Sequence, residues 1–397
     1  MNASSNESAS PLMGTYKRLP LTLVKGKGSL VYDDHDKRYI DFLGGIAVLS
    51  LGHCPDEVSA ALHRQIDTLW HVSNIYHIQP QIACAEFLVA NSCFDQVFFC
   101  NSGTEANEAA LKLARLTASI TSGGRKKTFI AMNRSFHGRS MGSLSVTGQA
   151  SYREPFEPLI DEVRFVEFGD IKGLESRIDD TVAAIILEPL QAEGGLVTTS
   201  ASYLAAVREL CDHHNIVLIF DEVQTGIGRL GTLFAHEKYG IEPDIMTLAK
   251  GLGGGFPIGA MLAREDVGKN FAPGHHASTF GGNPLATTAA LAVLKTVTAP
   301  GFLKQVRDKA LWLTQRLEQL VTAHAHILRR KGDGLLQGLE FDKPLAPDLI
   351  RACMGKGLLC GQAGAQVLRL APALNIPQPL LEEGFGILEK TIGELTP

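Results

Sequence analysis

The sequence has no run approaching the roughly 18 apolar residues that a membrane span needs. It contains no C-x-x-C pair, and its seven cysteines (Cys54, Cys84, Cys93, Cys100, Cys211, Cys353 and Cys360) are an odd number. In a chain of 397 residues that argues for reduced, mostly buried thiols rather than a disulfide framework. Neither sign of charge dominates: 37 Lys and Arg against 42 Asp and Glu leave a formal net charge of −5. There is therefore no electrostatic reason to expect nucleic acid or an anionic membrane as a partner. The small basic clusters Arg125-Lys126-Lys127 and Arg329-Arg330-Lys331 read as solvated loop and helix ends. The opening residues, Met1 to Ser8, are polar, without the basic and apolar regions of a signal peptide. These absences together lead to the expectation of a soluble, cytoplasmic protein.

Several catalytic signatures are missing as well. No G-x-x-x-x-G-K-[ST] exists, which excludes a P-loop, and no H-E-x-x-H or Cys/His cluster has zinc spacing. No metal site is expected. His213-His214 and His275-His276 read as a helix end and a loop. One G-x-G-x-x-G does occur, at Gly226-Ile227-Gly228-Arg229-Leu230-Gly231. Its context is wrong for a dinucleotide site, because Asp221 to Thr225 separate it from the preceding strand.

What is present begins with size and glycine. The length suggests two domains, or one large α/β domain with a satellite, and 45% hydrophobic residues suffice for a sizeable core. Glycine makes up 40 of the 397 residues, well above average usage and without a collagen period. Thirteen of them fall within residues 220–282.

Residues 1–15 read as a flexible Ser/Asn-rich lead-in, and Leu21 to Phe42 as short strands separated by turns. Apolar spacing predicts a helix from His53 to Leu69. The middle alternates buried strands (Val97–Cys100, Thr128–Ala131, Val163–Val166, Val182–Leu187, Ile216–Phe220, Asp244–Leu248) with helices such as Thr104–Arg115 and Ser202–His213. That alternation implies an α/β fold, a mainly parallel sheet flanked by helices, with ligands expected at the carboxyl ends of the strands. After about residue 283 two long helices, Asn283–Val297 and 302–320, mark a change of character. The expected division is an N-terminal segment, 1–52, joining a smaller α+β domain, 284–397, around a large domain, 53–283.

Three segments carry chemistry. Asn101 to Glu108 lies between a strand and a helix, so Ser102, Gly103 and Thr104 would offer N–H groups and hydroxyls at a helix N-terminus, where a phosphate fits. A plain helix cap accounts for the same residues. Ile216 to Phe220 delivers Asp221 and Glu222 to a strand end, where a buried carboxylate needs a partner. Lys250 sits between an apolar strand and five glycines in nine positions. A desolvated lysine amine is suited to a Schiff base with an aldehyde. A phosphate seat, an Asp and a Lys in that order are the parts that pyridoxal phosphate (PLP) requires.

With those residues goes a wider set: Gly44-Gly45-Ile46-Ala47-Val48, Leu51-Gly52-His53, Phe136-His137-Gly138-Arg139, Glu188-Pro189-Leu190-Gln191, Phe220 to Gly226, Ala249 to Gly255 and Ser278 to Pro284. In these the chain resembles the class III (subgroup II) PLP-dependent aminotransferases of fold type I, most of all the acetylornithine aminotransferases. The resemblance runs from about Leu19 to Pro372. It implies that Lys250 holds the cofactor as a Schiff base and shuttles the proton, and that Asp221 pairs with the pyridinium nitrogen. It implies that Ser102, Gly103 and Thr104 hold the phosphate together with Thr279 of a neighbouring subunit, hence a homodimer with shared active sites. Phe136 and Val223 would sandwich the ring, and Gln224 would reach its phenolic oxygen. Arg139 and Arg369 would receive substrate carboxylates, with Glu193 pairing with Arg369 when the amino donor is bound. The implied reaction is a ping-pong transfer of the δ-amino group of N2-acetyl-L-ornithine to 2-oxoglutarate, giving the semialdehyde and glutamate, in arginine biosynthesis. Ornithine, succinylornithine, succinyldiaminopimelate and 4-aminobutyrate are the alternative donors. Two segments depart from the family pattern: Gly52-His53-Cys54-Pro55 lacks a second His, and Ala192-Glu193-Gly194-Gly195 places a methyl group beside the acid.

Overall fold

Seven strands form the central sheet in the spatial order Gln96–Cys100, Gly259–Ala263, Ile245–Leu248, Val217–Asp221, Val182–Leu187, Thr128–Met132, Val163–Val166. The computed structural model describes residues 11–395, so residues 1–10 of the expected flexible lead-in lie outside it. The last five strands pair in parallel throughout. Four of them, Thr128–Met132, Val182–Leu187, Val217–Asp221 and Ile245–Leu248, are buried at every residue. Their near-continuous apolar sequences are what a sheet covered on both faces demands. Ala109, Ala110, Leu113 and Ala114 of the helix Gly103–Ser122 pack on one face, and Leu204, Val207 and Cys211 of the helix Ala201–His214 on the other.

The expectation missed one strand. Gly259–Ala263 runs antiparallel to both its neighbours, so the sheet is mixed, with one reversed strand. Its sequence, Gly-Ala-Met-Leu-Ala, follows the glycine run and has no β-branched residue to announce a strand.

The two chain ends meet in a further pair of sheets. Leu23–Lys27, Leu30–Asp33 and Arg38–Asp41 form an antiparallel meander, and Leu358–Leu359 joins it in parallel, pairing with Ile40 and Asp41. A second sheet places Ile327–Asp333, Leu336–Phe341, Val367–Leu370 and Gly361–Gln362 side by side. The helices Pro284–Val297 and Phe302–Ala323 meet at 72° and bury their apolar faces in the same core. No single helix among the described residues is long and apolar enough to cross a membrane.

Two local expectations shift. The helix foreseen over His53–Leu69 covers Asp56–Ile66, because Pro55 sets its start and His53 is drawn to Asp41, with Nε2 2.7 Å from Oδ2. Arg329-Arg330-Lys331 lies on the strand Ile327–Asp333, where Arg329 and Lys331 pair with Glu340 and Arg330 with Glu318. All seven cysteines are free thiols, five of them buried, with Cys54 exposed.

Phe42, fully buried, ties the two chain ends together where the helix Gln378–Leu395 approaches its ring through Gly384. Phe42→Ala should lower the unfolding free energy by about 3–5 kcal/mol in urea denaturation, the range for a large buried ring.

Candidate active site

Five strands of the central sheet deliver a chemically equipped residue to one cavity. The strand Gln96–Cys100 leads into Ser102-Gly103-Thr104, Thr128–Met132 into Phe136, Val182–Leu187 into Glu188, Val217–Asp221 ends on Asp221, and Ile245–Leu248 leads to Lys250. All of these residues line a cavity of about 380 Å³, as do Arg139, Val223 and Gln224. Carboxyl ends of strands in open α/β sheets are where ligands bind.

The helix Gly103–Ser122 is 20 residues long, and its first N–H groups have no acceptor within the helix. Ser102 is also a true cap, its hydroxyl accepting from Glu105 N–H at 3.3 Å. The two readings of this segment are therefore compatible: Ser102 closes the helix, and Gly103 and Thr104 face the cavity. A side chain at Gly103 is not tolerated, because its Cβ would stand 2.8 Å from Val223 Cγ1. Thr104 Oγ1 lies 2.6 Å from Ser140 Oγ and accepts from Ser140 N–H at 3.2 Å.

Lys250 opens a single 3₁₀ turn with φ of 42°, a left-handed conformation that side chains other than glycine rarely adopt. Burial pushes its amine below the ordinary lysine value, against the pull of Glu193 and Asp221 and with the push of Arg369. Asp221 is 4% exposed and accepts hydrogen bonds from Asn107, His137 and the Val223 backbone. Glu188 accepts from Phe136 N–H at 3.0 Å and Ala192 N–H at 3.3 Å. Burial, and then the neighbouring Asp221, hold its carboxyl well above the usual range.

Arg369 lies on the strand Val367–Leu370, almost completely buried, and its Nη1 donates to Glu193 Oε1 at 2.5 Å and to Gln224 Oε1 at 3.4 Å. Burial opposes ionisation of Glu193, but the Arg369 guanidinium outweighs it and holds the carboxyl below its usual range. Ala192, the departure beside Glu193, is fully buried among Ala47, Leu190 and Leu196. Arg139 is exposed at the rim, its guanidinium carbon 3.7 Å from the centre of the Tyr152 ring and 5.5 Å from that of Phe136. Thr279 is not brought to the cavity. It is exposed, on a separate surface groove with Asn74 and Ser278.

The donor set suits PLP. An N-terminal turn with free N–H groups is open to an anion, a carboxylate and a lysine with a lowered pKa share the floor, and Phe136 and Val223 both line the space available to a flat ring. The aminotransferase class-III family model matches residues 13–392. The chain belongs to that family.

Among relatives of this class-III aminotransferase, the acetylornithine aminotransferase of Caldanaerobacter subterraneus subsp. tengcongensis is 47% identical over 97% of the chain and 98% of its own length. That of Clostridium acetobutylicum is 46% identical over 97% and 100%. The crystal structure of N-acetylornithine aminotransferase from Stenotrophomonas maltophilia is 37% identical with a TM-score of 0.84, covering 96% of this chain and 97% of that one. The ornithine aminotransferase of Toxoplasma gondii, seen with partial occupancy of PLP at its active site, is 31% identical with a TM-score of 0.94, covering 97% and 92%.

Sequence reasoning quoted the segments holding Asn107 and Glu188 without giving either residue a role, and it did not find Ser140 and Tyr152, which touch the cavity residues Thr104 and Arg139. The G-x-G-x-x-G segment holds no ligand position among the cavity residues. Its Arg229 is buried and donates instead to the carbonyls of Leu335 at 3.0 Å and Pro372 at 2.6 Å. Among the described residues, no three His, Cys, Asp or Glu side chains cluster as metal ligands.

The Glu193–Arg369 pair has a pH signature. Because the folded carboxyl ionises below its ordinary value of 4.5, its stabilisation is present above that pH and is lost as pH falls through the lowered folded value. Glu193→Gln should therefore lower stability by about 1–3 kcal/mol near pH 7, with the Tm difference from the unmodified protein closing as the solution is acidified below 4.5.

Proposed function

We propose that this class-III aminotransferase uses PLP to move the δ-amino group of N2-acetyl-L-ornithine to 2-oxoglutarate, giving N-acetyl-L-glutamate 5-semialdehyde and L-glutamate. The observation that carries the reading is a lysine with a depressed pKa sharing one cavity with Asp221 and an open helix N-terminus. The donor is chosen on the run of acetylornithine aminotransferases, each matching nearly the whole chain at 43–47% identity.

When bound, PLP supplies an aldehyde that takes up the amino group and a ring that accepts electrons as the donor's C–H bond breaks. Gly103 and Thr104 would hold its phosphate, Phe136 and Val223 would enclose the ring, Gln224 would meet its phenolic oxygen, and Asp221 would accept from the ring nitrogen; all of them line the one cavity. Lys250, neutral more readily than an ordinary lysine, would take the proton from the donor's amine-bearing carbon and deliver it to the cofactor carbon that carried the aldehyde. The two arginines divide the carboxylates. Acetylornithine brings no carboxylate to its reacting end, so Arg369 needs Glu193 as counter-charge; 2-oxoglutarate brings one and displaces Glu193. Arg139 takes the carboxylate at the far end, as a planar fork on the rim can do bidentately.

We assign Thr279 to the phosphate site of a second copy, in a homodimer with shared active sites. Its exposure supports this, as do the exposed Trp70, Ile75, Tyr76 and Phe280; Asn74, next to Ile75, donates to the carbonyls of Ser278 and Gly281 on either side of Thr279. We place the protein in the cytoplasm, and divide it into residues 1–52 and 284–397 around a large domain, 53–283. The parallel pairing of Leu358–Leu359 with Ile40–Asp41 supports that division.

The test is a pair of half-reactions. Acetylornithine should bleach the absorbance of the holoprotein, 2-oxoglutarate should restore it, and kcat/KM for acetylornithine should exceed that for ornithine, succinylornithine and 4-aminobutyrate. A higher value for one of those competitors would replace the donor, and turnover by Lys250→Ala would overturn the mechanism. Light scattering should return twice the 42.8 kDa chain mass; a fully active monomer would contradict the shared site.

A further inference from the structure

The surroundings of Asp221 are more determined than an ion pair requires. Val223 N–H donates to Oδ1 at 3.0 Å, while Asn107 Nδ2 and His137 Nδ1 both reach Oδ2 at 2.8 Å. A carboxylate offers about four lone-pair positions. Oδ2 is filled, and a single position remains, on Oδ1 of a residue that lines the cavity.

The two donors on Oδ2 have no freedom to do otherwise. Asn107 Nδ2 also donates to the carbonyl of His137 at 2.7 Å, and Asn107 Oδ1 accepts from Thr247 Oγ1 at 2.8 Å. Turning the amide over would set its oxygen against two other oxygens. The His137 backbone is anchored by its N–H to Thr147 Oγ1 at 3.0 Å. Its Nδ1 faces an oxygen and must carry hydrogen, while its Nε2 is buried with no partner. That suits a ring whose one proton sits on Nδ1, and it leaves the imidazole a single polar use, which is Asp221. Asn107, His137 and Thr247 are 1%, 2% and 0% exposed, so water cannot replace a lost partner.

We propose that Asn107 and His137 are positioning residues acting through Asp221: by occupying Oδ2 they leave the one free acceptor position on Oδ1, and so fix the proton on the ring nitrogen of bound PLP. Thr247 locks the orientation of Asn107. The inference rests on the reading that PLP occupies this cavity. It adds to that reading two buried residues of the cavity lining whose side chains donate to Asp221, and it gives the His of Phe136-His137-Gly138-Arg139 a task distinct from that of its neighbours.

The test uses holoprotein reconstituted with PLP isotopically labelled at the ring nitrogen and observed by nitrogen NMR, together with the affinity of the apoprotein for PLP. The unmodified protein should show the protonated resonance. His137→Phe, which keeps the volume and removes the donor, should move it toward the unprotonated position and weaken PLP binding by roughly tenfold to a hundredfold, the effect of losing a hydrogen bond to a charged group. His137→Asn, whose amide can reach the place of Nδ1, should restore both readouts. Thr247→Val, a milder change that keeps the test decisive if His137→Phe does not fold, should weaken binding by a smaller factor with a partial shift of the resonance. If His137→Phe matches the unmodified protein in resonance and affinity, or if His137→Asn behaves like His137→Phe, the positioning role is overturned while the aminotransferase reading stands. An unmodified protein that takes up no PLP overturns the reading and the inference together.

Discussion

The register between two neighbouring parallel strands is the constraint on which the rest of the site depends. Val217–Asp221 pairs with Ile245–Leu248 so that Asp221 lies opposite Thr247, three residues before Lys250. One carboxylate and one amine are thereby carried to the same end of two neighbouring strands that are buried at every residue. A slip of one residue would turn every side chain of a strand to the opposite face, burying Asp221 against hydrocarbon and moving Thr247 away from Asn107. The hydrophobic runs that precede the two residues are what prevent it. The site's chemistry follows from packing first and from polar groups second.

Around that axis, strain and desolvation are localised. Lys250 is held in a left-handed conformation, and Gly44 to Ala47 make four successive residues with φ of 56°, 63°, 67° and 60°. For the β-branched Ile46 this is costly, roughly 1–3 kcal/mol. The turn is held by Asp41, which accepts from Leu43 and Gly44 N–H at 2.8 and 2.9 Å and faces His53. It sets Val48 on the cavity wall. Such strain persists because the N-terminal meander and the Leu358–Leu359 strand fix both sides of it. The N-terminal segment therefore shapes the wall of a site whose floor belongs to the central sheet.

Much of this was legible in the sequence, and the residues show why. Val182–Leu187 and Val163–Val166 are recovered to the residue, because buried parallel strands announce themselves as apolar runs. Asp221, Lys250 and Ser102 to Thr104 stood out because the runs deliver them to a loop. The helix Gln79–Ala90 had no such signal: it is apolar around its circumference, so no period marks it. The reversed strand Gly259–Ala263 is composed of small residues and hides behind the glycines. Asn107 stood in a recognised segment, yet its bonds reach residues 137, 221 and 247, far apart in the chain. No spacing rule encodes such a convergence. Thr279 presents the opposite case, a residue whose place in the single chain explains nothing about its proposed task.

The central claim is that Lys250, and no other lysine, is the group that joins the cofactor. Its most direct test is borohydride reduction of the holoprotein followed by peptide mass spectrometry. The account predicts one pyridoxyl group per chain, on the peptide containing Ala249-Lys250-Gly251. Label on a different lysine, or a protein that carries PLP and yields no stable adduct, would contradict it.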